Sequence, residues 1–100
     1  MKKRFTDKVA VIVGGAGGIG REIVSELLDE GAKVVVGDMD KKALADMKEK
    51  YGGNYLGVVT NAVKKEEQEA LVRIACDKYG SIDIAINAAG GSKMGLIDEG

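Results

Sequence analysis

Histidine, proline and tryptophan are missing altogether from the 100-residue sequence, and cysteine occurs once, at Cys76. Without histidine there is no imidazole general base, no Ser-His-Asp relay and no histidine ligand for a metal. A single thiol excludes an intrachain disulfide and any cysteine-rich zinc site, and it fits a reducing compartment. With no proline, sharp backbone features fall to glycine, asparagine and aspartate, and glycine is plentiful at 15 residues. Charge of one sign is also lacking: 15 basic against 16 acidic side chains give a net charge of -1. That balance excludes a broad electrostatic hold on nucleic acid or an anionic membrane. No apolar run approaches the roughly 18 residues of a membrane helix. The basic start, Met1 to Arg4 with Lys8, precedes an apolar stretch as a secretory signal would. Asp7 interrupts it and glycines follow Val13, so it reads as a solvated tail on a cytoplasmic protein.

What is present, 45% hydrophobic and 31% charged residues, describes one soluble globular domain in which strand-like and helix-like segments alternate. Val9 to Val13 is an unbroken apolar run, β-branched except at Ala10, as expected of a strand covered on both faces. From Ile19 the apolar positions Ile23, Val24, Leu27 and Leu28 recur at helical spacing until Gly31. Val34 to Val36 form a second strand ending at Gly37-Asp38, and Ala43, Leu44, Met47 and Tyr51 form the stripe of a second helix stopped by Gly52-Gly53. Tyr55 to Thr60 read as a third strand. A third helix starts near Lys64 or Lys65, with Ala70, Leu71, Ile74, Ala75 and Lys78 as its stripe, widened by Val72, Cys76 and Tyr79. Ile82 to Ile86 make a fourth strand, and Asn87-Ala88-Ala89-Gly90 a turn. The fold class is therefore α/β, a three-layer Rossmann-like parallel sheet with strands in the order 3-2-1-4. Residues 1–90 form the nucleotide-binding domain and residues 91–100 a tail without usable periodicity. The reversal of strand order beside strand one creates a crevice where ligands bind.

Gly14-Gly15-Ala16-Gly17-Gly18-Ile19-Gly20 joins the first strand to the first helix. It reads either as Gly15-x-Gly17-x-x-Gly20, the general dinucleotide fingerprint, or as Gly14-x-x-x-Gly18-x-Gly20, the spacing of another Rossmann branch. In both registers a turn without Cβ atoms lets backbone N–H groups approach a pyrophosphate at the positive end of a helix. Asp38 follows eighteen positions after Gly20, where a carboxylate accepts hydrogen bonds from ribose hydroxyls and repels a 2'-phosphate. NAD is thereby favoured over NADP, although Lys41 and Lys42 keep a phosphate partner within sequence reach.

These residues resemble the N-terminal part of a short-chain dehydrogenase/reductase over about residues 5–90. Gly14-x-x-x-Gly18-Ile19-Gly20 is similar to that family's Thr-Gly-x-x-x-Gly-Ile-Gly loop, Asp38 to its NAD-selecting acid, and Asn87-Ala88-Ala89-Gly90 to its Asn-Asn-Ala-Gly turn. The resemblance implies a pyrophosphate on Gly14, Gly18, Ile19 and Gly20, a ribose on Asp38, and an adenine beside Met39, Asn61 and Ala62. It further implies that Asn87 to Gly90 wall the crevice toward the nicotinamide. The sequence departs from the family at Val13, where a Thr is usual, and at Asn61-Ala62, where Asp-Val is usual. Family members are more than twice this long, and their hydride transfer between alcohol or ketone and coenzyme rests on a Ser and a Tyr-x-x-x-Lys pair. Tyr51, Tyr55 and Tyr79 are followed four positions later by Tyr55, Val59 and Asp83, so these residues carry no such pair. The resemblance thus implies a coenzyme-binding portion of an oxidoreductase, with a catalytically inactive binding or assembly module as the alternative.

Three smaller expectations complete the reading. Cys76, on the wide apolar face of the third helix, is a buried small hydrophobe rather than a catalytic thiolate. Glu66, Glu67, Glu69 and Asp77 are solvated helix surface. Strand four, from Ile82 to Ile86, suits a sheet interior but would present an open edge, which predicts a homo-oligomer that covers it.

Overall fold

The computed structural model describes residues 5–14, 18–87 and 95–97. β1 (Val9–Val13), β2 (Lys33–Asp38), β3 (Tyr55–Val59) and β4 (Ile84–Asn87) alternate with α1 (Gly18–Asp29), α2 (Lys41–Tyr51) and α3 (Lys65–Tyr79), and β5 (Gly95–Ile97) follows. The sheet runs β3-β2-β1-β4-β5. Its first four strands are parallel, in the order 3-2-1-4 that the alternating pattern predicts. Among the described residues no helix is long and apolar enough to cross a membrane.

Strand alternation sorts the core into two layers. Ala10, Ile12, Val34 and Val36 point to one face, where Val24 and Leu27 of α1 and Leu44 and Met47 of α2 cover them. Val11 and Val35 point to the other, where Leu71 and Ala75 of α3 pack. Ile12, Val24 and Val34 are fully buried, and each such side chain contributes about 1.5–3 kcal/mol of transfer free energy. The helix ends follow their local chemistry. Asp40 caps α2 by accepting from the Ala43 N–H at 3.0 Å. Gly80 closes α3 at φ 93° and donates to the Cys76 carbonyl at 2.7 Å, a left-handed cap that a Cβ would strain.

Helix α3 departs from the expected broad stripe. Leu71 and Ala75 are buried, whereas Ala70, Val72, Ile74, Cys76 and Lys78 are exposed and Tyr79 is half-buried. α3 lies on β1 and β2, and one helix on one sheet face covers only the i, i+4 row. Cys76 is therefore exposed, not a buried hydrophobe. Strand four also differs, starting at Ile84 rather than Ile82. Asp83 accepts from the Val9 N–H at 2.9 Å and donates its own N–H to the Val9 carbonyl at 2.8 Å. Its side chain thus takes the donor that a longer ladder would have used.

The open edge expected on strand four is absent. β5 lies antiparallel to β4, pairing Ala85 with Ile97, Ile86 with Leu96 and Asn87 with Gly95. Residues 95–97, within the tail that shows no usable periodicity, supply this strand and cover the edge that predicted a homo-oligomer.

Gly37 fixes how closely α3 approaches the sheet. A Cβ there would lie 2.5 Å from Leu71 Cδ2, 2.9 Å from Thr60 Oγ1 and 3.0 Å from Thr60 Cβ. Both neighbours are buried, so neither has room to move. Gly37→Ala is expected to destabilise the fold by about 1–3 kcal/mol, read as a lower midpoint in urea denaturation.

Candidate functional site

Parallel pairing brings the C-terminal ends of three strands level. Val13 of β1 is opposite Gly37 of β2 on one side and Asn87 of β4 on the other. Gly14 then turns the chain at φ 80° while its N–H donates to the Gly37 carbonyl at 2.6 Å, a conformation that favours glycine. α1 opens with Gly18-Ile19-Gly20-Arg21 and has no acid in its first turn, so the positive end of its dipole has no carboxylate there to offset it. Gly20 is buried and Gly18 is exposed. A Cβ on Gly18 would meet nothing within 4 Å, and its φ is not in the left-handed region. Neither packing nor backbone conformation demands glycine at Gly18; what the missing side chain leaves there is approach room at a helix N-terminus. That fits a pyrophosphate, whose charge suits the unsatisfied N–H groups of such an end.

One strand over, Asp38 closes β2 and pairs in register with Val59. Its Oδ1 accepts from the Asp40 N–H at 3.0 Å, and its carbonyl accepts from the Thr60 N–H at 2.9 Å. The first bond orients the carboxylate; the second holds the end of β3, and with it Asn61, beside Asp38. Met39 is 63% and Val63 is 88% exposed, flanking this point with apolar surface. The Asn61 side chain accepts from the Val63 N–H at 3.1 Å through Oδ1, and a carbonyl oxygen keeps a second lone pair.

The structure thus brings Asp38, Met39, Asn61 and Ala62 together at the ends of β2 and β3, and Gly14, Gly18, Gly20 and Asn87 around the ends of β1 and β4. Gly15, Gly17, Ala88, Ala89 and Gly90 lie outside the described residues, as does the side chain of Ile19. Sequence reasoning missed Glu67. Rather than solvated surface, it is half-buried and accepts from the Asn61 N–H at 2.7 Å. Gln68 donates from Nε2 to the Ala62 carbonyl. A Glu at the third helical position commonly reaches back to the N–H of the capping residue; Glu67 stands three after Lys64, the N-terminal cap of α3, and reaches past it to the Asn61 N–H.

This constellation has relatives. A short chain dehydrogenase family profile matches residues 8–100. The chain belongs to the short-chain dehydrogenase/reductase family. An uncharacterised oxidoreductase of Staphylococcus aureus strain USA300 is 42% identical over 87 residues, covering 86% of this chain and 38% of that protein. A short-chain dehydrogenase/reductase from Brucella melitensis, described as a glucose/ribitol dehydrogenase, superposes with a TM-score of 0.79 at 29% identity over 85% of this chain and 37% of its own. The 3-ketoacyl-(acyl-carrier-protein) reductase of the same organism, solved with NADH, gives 0.78 at 32% identity over 82% and 34%. The chain therefore spans well under half the length of these short-chain dehydrogenase/reductase relatives.

Tyr55 links this site to the core. Its hydroxyl donates to the Leu44 carbonyl at 3.0 Å, and a Cβ on Gly57 would lie 2.6 Å from that hydroxyl. Burial pushes the Tyr55 phenol up to about 12; Arg21 opposes the rise, and Asp38 and Tyr51 add to it. Tyr79 is raised by burial in the same direction. A phenol raised in the folded state contributes stability that is fully present below its ordinary value of about 10 and is lost as pH climbs toward about 12. Tyr55→Phe should cost about 1 kcal/mol near neutrality for the lost hydrogen bond. It should also shrink the difference in urea stability between about pH 9 and about pH 11.

Proposed function

We propose that this chain forms the NAD-binding portion of a short-chain oxidoreductase. The observation that carries the reading is the open space over Gly18 at the N-terminal end of α1. Gly14, Gly15, Gly17, Gly18, Ile19 and Gly20 would hold the pyrophosphate through backbone N–H groups and the helix dipole. Asp38 would accept from the ribose hydroxyls, and its charge favours NAD over NADP. Met39, Asn61 and Ala62, with Val63 beside them, would enclose the adenine, and Asn87 to Gly90 would face the nicotinamide. The Brucella relative solved with NADH supports a nicotinamide dinucleotide.

When bound, the nicotinamide supplies a hydride donor or acceptor. The residues of this chain bind and orient it. Transfer to or from an alcohol or ketone also needs the family's Ser and Tyr-x-x-x-Lys, which would have to come from outside these 100 residues. Within that oxidoreductase these residues would act as the dinucleotide-binding module, in the cytoplasm. Self-association at β4 would require displacing β5.

Calorimetric titration with NAD and NADP at matched salt tests the proposal. NAD should bind more tightly than NADP, and Asp38→Ala should weaken NAD by about tenfold, which is about 1.4 kcal/mol, while narrowing the preference. Gly18→Ala is the sharper variant. It should abolish binding with the thermal midpoint unchanged or raised, since alanine suits a helix better than glycine. Unchanged binding in Gly18→Ala, or equal binding of NAD by Asp38→Ala, would count against the site.

A further inference from the structure

Between α2 and β3 runs a groove of about 230 Å3, lined by Lys41, Ala45 and Lys48 of the helix and Leu56, Gly57 and Val59 of the strand. It follows the outer margin of the sheet, away from the crevice at β1 and β4. β3 ends the sheet on this side, and among the described residues its one strand partner is β2. Its sequence, Tyr-Leu-Gly-Val-Val, has no charge and no proline. It therefore lacks the charge and the proline that commonly keep an edge strand from pairing. Val59 is 51% exposed. The charged lining of the groove is all cationic, since Asp46 and Glu49, the acids of α2, are not part of it. Lys41 and Lys48 are seven residues apart on one helix face, about 10 Å along the axis at about 1.5 Å per residue.

We propose that this edge accepts an extended acidic polypeptide segment, which adds to β3 as a strand and sets carboxylates against Lys41 and Lys48. Backbone pairing supplies affinity in this mode of recognition, and the flanking side chains select the sequence. In an extended chain, carboxylates two or four residues apart share a face at about 7 or about 13 Å. Those separations bracket the spacing of the two lysines, whose flexible stems cover the remainder.

The same lysines argue against a second copy in the groove. Gly57, the middle residue of β3, lies level with Leu44, since a Cβ on it would be 3.2 Å from Leu44 Cβ. A two-fold pairing of β3 with itself centred on Gly57 would set two α2 helices antiparallel about Leu44. Lys41 of each copy would then lie within one residue of the position opposite Lys48 of the other. Like charges in that position oppose association, whereas an acidic strand meets two cations.

The test is titration of the 15N-labelled full chain with acetyl-Val-Glu-Val-Glu-Val-amide and with its glutamine counterpart, following amide hydrogen exchange over residues 55–59. The glutamate peptide should slow exchange there and bind about tenfold more tightly than the glutamine peptide. Lys48→Glu, with its thermal midpoint checked to be unchanged, should lose that advantage and gain affinity for a lysine peptide of the same pattern. Three results overturn the proposal: no change over residues 55–59 at millimolar peptide, equal binding of the glutamate and glutamine peptides, or a self-associated protein whose residues 55–59 are protected before peptide is added. The last would identify the second copy as the occupant.

Discussion

Parallel pairing of β1 with both β2 and β4 is the constraint on which everything else rests. Because Val13 is level with Gly37 and with Asn87, the connections that leave all three strands start at one end of the sheet. Residues far apart in sequence, from Gly14 to Asn87, are delivered there by the strand ladder. Burial of β1 and β2 on both faces drives the pairing, and the Gly14–Gly37 and Thr60–Asp38 backbone hydrogen bonds then hold the strand ends in place.

Glycines set the tolerances around that frame, each for a different reason. Gly14 is needed for its backbone conformation, and Gly37 because Leu71 and Thr60 press against it. Gly18 is needed for neither, which marks it as the position where the fold leaves room rather than fills it. In the same region Asp38 does two structural jobs, orienting itself against the Asp40 N–H and holding Thr60. A carboxylate constrained in that way loses little further freedom on accepting a ligand hydroxyl.

Much of this was legible in the residues themselves, because each signal was local. Unbroken apolar runs rich in β-branched residues named β1 and β2, glycine breaks gave the helix ends, and the βα alternation gave the order 3-2-1-4. Burial on α3 was not legible, since periodicity shows which face is apolar and not how many neighbours cover it; Val72, Ile74 and Cys76 stay exposed. Gly95–Ile97 is too short to show a period, and it becomes a strand because β4 offers it an edge. The Glu67 contact depends on the turn formed by Asn61 to Lys64, where Lys64 donates to the Asn61 carbonyl at 3.0 Å. In the site, the glycine spacing and Asp38 were readable, whereas the orientation of Asn61 required that turn.

The most direct test of the central claim is to map NAD onto the backbone of the 15N-labelled chain. The expected result is that the amides of Gly14, Gly18, Gly20, Asp38, Asn61 and Asn87 shift together with one saturation curve, while Gly31 and Gly80, which precede β2 and β4 at the opposite end of the sheet, do not. Shifts concentrated at that opposite end, or none at saturating NAD, would contradict a coenzyme site built by the aligned strand ends.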